Sequence, residues 1–296
     1  MHAVDLNKTP YWSDYQTNEQ YFGLLSFDPG KEKSVCYVDG ETSEWTNEDI
    51  IKKDENGEIS VKYDEKFIYF MVHKEGINEN SKLYIPIDLT PNSGSTYCEN
   101  YNLKFEDDVD FIISIDGKEN SRLVVQERYE QARALFNREI EGESPYKNIP
   151  DKNTSIFKNI NLILRRATSI TGRDDIDQAE TYETGKLTYG NSNPDSEDFN
   201  SLADFCITND YLEIKLPWQL LNFSNPSEMK IHDDYYEKYG VEEIQIDSMK
   251  VGLITQGNEN KRAKLEKVEL NGWGKNVTYH ERLKDSYYIL QKEWTK

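Results

Sequence analysis

Carboxylates are the most abundant chemically useful groups in this chain: 55 of its 296 residues are Asp or Glu. The densest clusters are Asp88, in Ile87-Asp88-Leu89-Thr90-Pro91-Asn92-Ser93-Gly94, and the trio Asp107, Asp108 and Asp110. Hard oxygen ligands suit Ca2+, which takes about 6–8 of them. These four aspartates are therefore the metal-ligand candidates, with calcium as a structural ion. No EF-hand spacing accompanies them, and clustered carboxylates are equally at home in solvent. Paired carboxylates also hydrolyse glycosidic bonds when they stand about 5–10 Å apart. Among 55 acids some pair always meets that distance, so no catalytic residue is assigned and the chain is not read as an enzyme. It carries no G-x-S-x-G, no H-E-x-x-H and no phosphate loop. His232-Asp233-Asp234 looks like a metal cluster, but Asp at a helix start is expected for capping.

Charge narrows the partners. Lys and Arg number 35 against 55 acids, a net charge of −20. Affinity for phosphate comes from Lys and Arg neutralising it, so a polyanion is not a generic nucleic-acid binder. A helical membrane crossing needs about 20 apolar residues and no such run occurs. Aromatics make up 12% of the chain, led by 20 Tyr, which is far too many for a disordered acidic tail. The chain folds. Cys36, Cys98 and Cys206 are widely spaced and form no C-x-x-C pair, which excludes a zinc knuckle and a dense disulfide framework. They fit a reducing cytosol or a cell surface that uses few disulfides. The start, Met1-His2-Ala3-Val4-Asp5-Leu6, lacks the charged region and apolar core of a signal peptide. If the protein is exported, this chain is expected to be a segment of something longer.

The elements that must position these groups read as short strands separated by turn signals. Ile59 to Tyr63 alternates, Asp64-Glu65-Lys66 turns, and Phe67 to Val72 is apolar on both faces, which predicts a hairpin with a doubly buried second strand. Leu83 to Leu89 is another strand. Val109, Phe111, Ile113 and Ile115 alternate with Asp110, Ile112 and Ser114, and Asp116-Gly117 turns the chain into Arg122–Gln126. Further strands are expected at 162–165, 179–184, 203–207, 211–216 and 244–254, with Asn209-Asp210 as a two-residue turn. Short helices are expected at 127–138, 218–222 and 233–239, and an amphipathic one at 279–294. Residues 139–160 lack periodicity and read as a long loop, a feature usually tied to function or motion. No repeat of about 20–50 residues occurs.

Such a pattern predicts an all-β fold, an antiparallel β-sandwich of jelly-roll or immunoglobulin-like type with a few short peripheral helices. Residues 1–34 are expected to be an N-terminal extension packed on the sandwich. Residues 35–296 form one domain with the 139–160 loop and a C-terminal helical segment.

Three pieces of sequence occur in a telling order: Val38-Asp39-Gly40-Glu41-Thr42-Ser43-Glu44-Trp45, the hairpin Val61 to Phe70, and Glu213-Ile214-Lys215-Leu216-Pro217-Trp218 continuing to Leu221. Together they resemble the family 9 carbohydrate-binding modules and the related DOMON-like domains, β-sandwiches of extracellular proteins, over roughly residues 35–255. The resemblance implies a non-catalytic module that binds an oligo- or polysaccharide, at the cell surface or outside the cell, in a longer exported protein. An alternative of the same fold is a protein-interaction or structural module. A second alternative is a haem-binding redox domain of DOMON type, because Met71 and His73 stand two apart on one strand face; no second ligand pair is evident, so haem is not expected.

Sugar recognition needs flat apolar faces for the C–H side of a pyranose and planar polar side chains for its hydroxyls. The aromatics expected in loops are Trp12, Tyr97, Tyr101, Tyr146, Tyr182, Tyr189 and Trp273. Trp273, in Asn271-Gly272-Trp273-Gly274, is the best platform candidate, although a loop Trp folded back to cap the core is an equal reading. Arg122, Gln126 and Arg128 are candidate hydrogen-bond donors, against the plainer reading of a solvated face. Trp45 and Trp218 read as structural anchors, since large aromatics dominate core burial.

Overall fold

The alternation between Ile59 and Val72 becomes the centre of a five-stranded antiparallel sheet. The structure, a computed structural model, describes residues 36–91, 93–130, 149–165, 168–169, 176–177, 179–208, 210–238, 242–274, 292 and 294. In this front sheet the strands run Ile50–Asp54, Gly57–Tyr63, Phe67–His73, Tyr211–Pro217 and Phe205–Thr208. Asp64 makes the first hairpin tight. Its Oδ1 accepts the N–H groups of Lys66 and Phe67 at 2.8 Å each, while Oδ2 accepts the Tyr69 hydroxyl at 2.7 Å. At the second hairpin Asp210 takes φ +74, the left-handed geometry a short Asx residue tolerates, and Thr208 pairs with Tyr211.

A middle sheet is ordered Glu266–Glu269, Ser248–Val251, Lys82–Asp88, Phe111–Asp116, Arg122–Gln126 and Phe157–Asn159, with Ile254–Thr255 also paired to Lys82–Asp88. All these pairs are antiparallel. Its strands are apolar at consecutive positions because both faces are covered. Leu83, Ile85, Ile87, Phe111, Ile113 and Val125 meet Ile59, Val61, Ile68, Phe70, Val72 and Ile214 of the front sheet. Their alternates Tyr84, Ile112 and Val124 meet Cys98, Leu103, Phe105, Val109 and Ala263 on the other side. Those belong to a third, outer sheet of Arg262–Ala263, Leu103–Val109 and Ser95–Cys98, in which Arg262–Ala263 runs parallel to its neighbour. The protein is thus mainly β, a sandwich carrying a third layer that the sequence pattern does not announce.

Three elements differ from expectation. The run from Val109 to Ile115 is two strands, because Asp110 hands the chain from the outer sheet to the middle one. Its buried Oδ2 accepts the N–H groups of Leu89 and Thr90 at 2.8 and 2.6 Å. The run 244–254 breaks into Glu243–Gln245, Ser248–Val251 and Ile254–Thr255; Gly252 sits where a Cβ would lie 3.1 Å from the side chains of Leu265 and Pro86. The helix expected from Glu127 is only a 3-10 turn, Glu127–Tyr129, and four consecutive residues from Glu127 to Glu130 are buried, which no amphipathic helix allows. The remainder of that segment, 131–138, lies outside the described residues, as do 139–148 of the long loop. At the loop's far end Phe157–Asn159 is a strand. Trp218–Leu221 and Tyr235–Lys238 are single turns close to the expected places, and of the C-terminal helix only Lys292 and Trp294 are described.

Phe105 is fully buried in the outer layer. Phe105→Ala is expected to cost about 3–5 kcal/mol, read as a lower urea midpoint at unchanged slope. A loss near zero would show that the third layer adds nothing to stability.

Candidate functional site

The quoted sequence pieces meet on the outer face of the front sheet, and a buried carboxylate joins them. Glu213 Oε2 accepts the N–H groups of Asp39 at 3.2 Å and Gly40 at 2.8 Å, and Oε1 accepts the indole N–H of Trp45 at 3.0 Å. Trp218 is wholly buried, donates its indole N–H to the Asp64 carbonyl at 2.9 Å, and packs edge-on against Tyr63 and Phe223. Both tryptophans therefore fasten irregular backbone to the sheet. Burial pushes the Glu213 carboxyl up to about 7, against the lowering effect of its three donors.

The sequence candidates lie on separate elements. Trp12 and Tyr146 fall outside the described residues. Tyr97, on the outer sheet, donates its hydroxyl to Asn102 Oδ1 at 3.1 Å, and Tyr101 leans on Tyr84 with ring centroids 5.1 Å apart. Tyr189 packs edge-on against Phe205, with the Lys118 ammonium 4.3 Å above its ring. Tyr182 is 57% exposed on a two-stranded ribbon formed by Asn161–Arg165 and Glu180–Glu183. Trp273 is half-buried and leans on Trp218, centroids 6.3 Å apart, so its indole turns towards the core.

The three donor candidates are used internally. Arg122 pairs with Glu183 at 3.1 Å. Gln126 is buried and its amide N–H groups go to the carbonyls of Lys152 and Thr154, at 3.2 and 3.0 Å. Arg128 is buried, with Nε and Nη2 each 2.7 Å from Asp234 Oδ2 and Nη1 donating to the Pro150 carbonyl at 2.5 Å. Gln126 and Arg128 thus tie down the segment 150–154.

Of the aspartates, Asp88 and Asp107 share the ammonium of Lys250, at 3.0 and 2.7 Å. Asp110 holds backbone, as described, and burial raises its carboxyl well above the usual range. Among the described residues no group of three or more His, Cys, Asp or Glu side chains is placed to hold a metal ion. Met71 is buried and His73 stacks on Tyr211, centroids 4.4 Å apart.

What sequence reasoning missed is a groove of about 440 Å3 beside the Trp273 loop. Three segments build it. The 3-10 turn Pro226–Glu228 supplies Ser227 and Glu228, with Lys230 just after it; Gln245 and Asp247 flank the buried Ile246; and Asn271 comes from the loop. The loop docks through backbone: Gly274 N–H donates to the Ser227 carbonyl at 2.8 Å, and Leu270 N–H to that of Asp247 at 2.8 Å. Gly272 is required there, since a Cβ would stand 2.5 Å from the Ser227 carbonyl oxygen. Within the rim, Lys230 and Glu228 neutralise each other at 2.5 Å. The side-chain amides of Gln245 and Asn271 are exposed and make no hydrogen bond among the described residues. Tyr63, whose hydroxyl accepts the Asn271 N–H at 2.9 Å, is the signal that ties this loop to the front hairpin.

Compared with known proteins, the chain matches no family model, no curated protein and no solved structure.

Arg128→Ala leaves Asp234 buried without its partner and is expected to cost about 3–5 kcal/mol in chemical denaturation. Arg128→Lys should recover little of this, because a single ammonium nitrogen cannot stand where Nε, Nη2 and Nη1 separately reach Asp234 and the Pro150 carbonyl. Full recovery by Lys would refute the need for the guanidinium fork.

Proposed function

We propose that the protein is a non-catalytic glycan-binding module and that the groove beside the Trp273 loop takes the saccharide. The observation that carries this reading is the pair of exposed planar amides, Gln245 and Asn271, that line the groove together with the Asp247 carboxylate. Ligand pockets commonly run about 300–1,000 Å3 with a few placed polar groups; the groove falls in that range. Amides and carboxylates in one rim can accept from and donate to neighbouring hydroxyls at once. Hydrogen bonding, more than ring stacking, is then the source of selectivity, because Trp273 leans inward. The motif resemblance and the sandwich fold support the same reading, and with it a place outside the cell or at its surface within a longer exported protein.

Calorimetric titration against mono- and oligosaccharides should give heat with at least one glycan. Gln245→Ala and Asn271→Ala should each weaken that binding about fivefold to tenfold, the scale of one or two lost hydrogen bonds, at unchanged melting temperature. Binding that survives both substitutions would place the site elsewhere, and no heat with any glycan would remove the reading.

A second reading, a protein-contact module, has one observation in its favour. Leu164 and Tyr182, both more than half exposed, flank Leu162 on one face of the projecting ribbon. Light scattering that shows a stable dimer, lost in Leu164→Asp, would favour it.

A further inference from the structure

The outer sheet presents a face of its own to solvent. Leu103 and Phe105 are buried against the middle sheet, so alternation along their strand turns Lys104 and Glu106 outward. The same rule turns Tyr97 outward beside the buried Cys98, and Arg262 outward beside the buried Ala263. Register then sets three side chains in one row across the sheet, Tyr97 opposite Lys104 and Lys104 opposite Arg262. Neighbouring strands stand about 4.8 Å apart, so the row is about 10 Å long. Lys104 and Arg262 are exposed, and among the described residues neither side chain makes an ion pair or a hydrogen bond. Tyr97 is half-buried and donates its hydroxyl to Asn102, but its ring meets no other ring and no cation among the described residues. The carboxylates nearby lie off the row. Glu106 acts by its charge on Lys264, whose ion partner is Glu266 at 2.9 Å. Asp108 comes two residues later, next to Gly94, and Glu99 accepts the Ser155 hydroxyl at 3.4 Å.

Like charges side by side on neighbouring strands are destabilising. Here two cations stand together without a carboxylate, in a chain where 55 acids outnumber 35 bases. We propose that this row is a docking site for an anionic polysaccharide built of uronic acids, with a carboxylate on the Lys104 and Arg262 pair and a sugar ring on Tyr97. The Arg262 fork can take a carboxylate through two parallel N–H groups, and Lys104 adds a point charge beside it. The uncommitted Tyr97 ring offers a flat apolar face to the C–H side of a pyranose. An extended chain suits the flat sheet face, on which the three side chains lie in line. The net charge of −20 does not forbid this, because at physiological salt charges more than about 8 Å away are largely screened and the two cations would be in contact. It does select against dense polyanions. Duplex nucleic acid carries one charge per about 1.7 Å, which two cations cannot neutralise, whereas a uronic acid polymer carries one carboxylate per ring among neutral hydroxyls. The row shares no residue with the groove beside Trp273 and would bind with that groove disabled.

Calorimetric titration of the full chain with an oligogalacturonate tests this against two other probes. One is the same oligomer as its methyl ester, which keeps the rings and loses the charge; the other is a polyglutamate of matching length. The oligogalacturonate should bind about tenfold or more tightly than either, and less tightly as salt is raised. Lys104→Gln combined with Arg262→Gln should bring its affinity down to that of the ester, with a melting temperature unchanged or raised because the like charges are gone. Tyr97→Ala should weaken the oligogalacturonate and the ester alike. Gln245→Ala combined with Asn271→Ala, in the groove, should leave oligogalacturonate binding as it is. No binding of the oligogalacturonate, equal binding of its ester, or an affinity unaltered in the Lys104 and Arg262 double variant overturns the proposal. Polyglutamate bound as tightly would assign the row to an acidic protein, and loss of binding in the groove variant would move the uronate to the groove; either result also overturns it.

Discussion

A sheet that is apolar on both faces cannot be left open on either, and the strands Lys82–Asp88, Phe111–Asp116 and Arg122–Gln126 impose that condition on everything around them. The front sheet covers one side through Ile59, Phe70 and Ile214; the small outer sheet covers the other through Leu103, Phe105 and Val109. Removing either cover would expose a row of Ile, Leu and Val side chains, each worth about 1.5–3 kcal/mol when buried. The three-layer arrangement therefore follows from residues alternating within single strands. Ile112 and Ile113 are neighbours in sequence and belong to different cores.

Layers alone do not hold the connecting segments, whose backbone N–H and C=O groups need partners wherever they are buried. Buried polar side chains meet that need at chosen points. Asp110 serves the turn after Leu89, Glu213 the segment at Asp39 and Gly40, Arg128 and Gln126 the segment at 150–154, and Trp218 the Asp64 turn. Each is a side chain on a strand, on a 3-10 turn or, for Asp110, at the joint between two strands, reaching irregular chain. Two are acids, Asp110 and Glu213, whose charge burial disfavours and whose N–H donors oppose that cost.

The groove and the segment 36–49 lie on different parts of this frame. The groove is formed where the Ser227 turn, the Ile246 connection and the Trp273 loop meet through backbone hydrogen bonds, so its shape is set by main chain and its selectivity by the side chains on the rim. Residues 36–49 lie on the outer face of the front sheet and are held by Glu213, Lys62 and Ser192 together. A net charge of −20 surrounds the groove and disfavours anionic ligands there.

Periodicity in the chain determined the all-β class, the two hairpins and the double burial of Phe67 to Val72, because period-two patterning reflects which face of a strand meets apolar matter. It could not separate the outer sheet from the middle one at Asp110, since alternation continues through the switch. Nor could it set the use of each polar residue. Arg122, Gln126 and Arg128 look alike as donors in sequence, but whether a donor faces water or a carbonyl from about 25 residues away depends on chain return, which local pattern does not encode. For the same reason Trp273 was legible as a loop tryptophan and its lean onto Trp218 was not. The groove beside it joins residues from 227 to 274 and exists only once three distant segments are brought together.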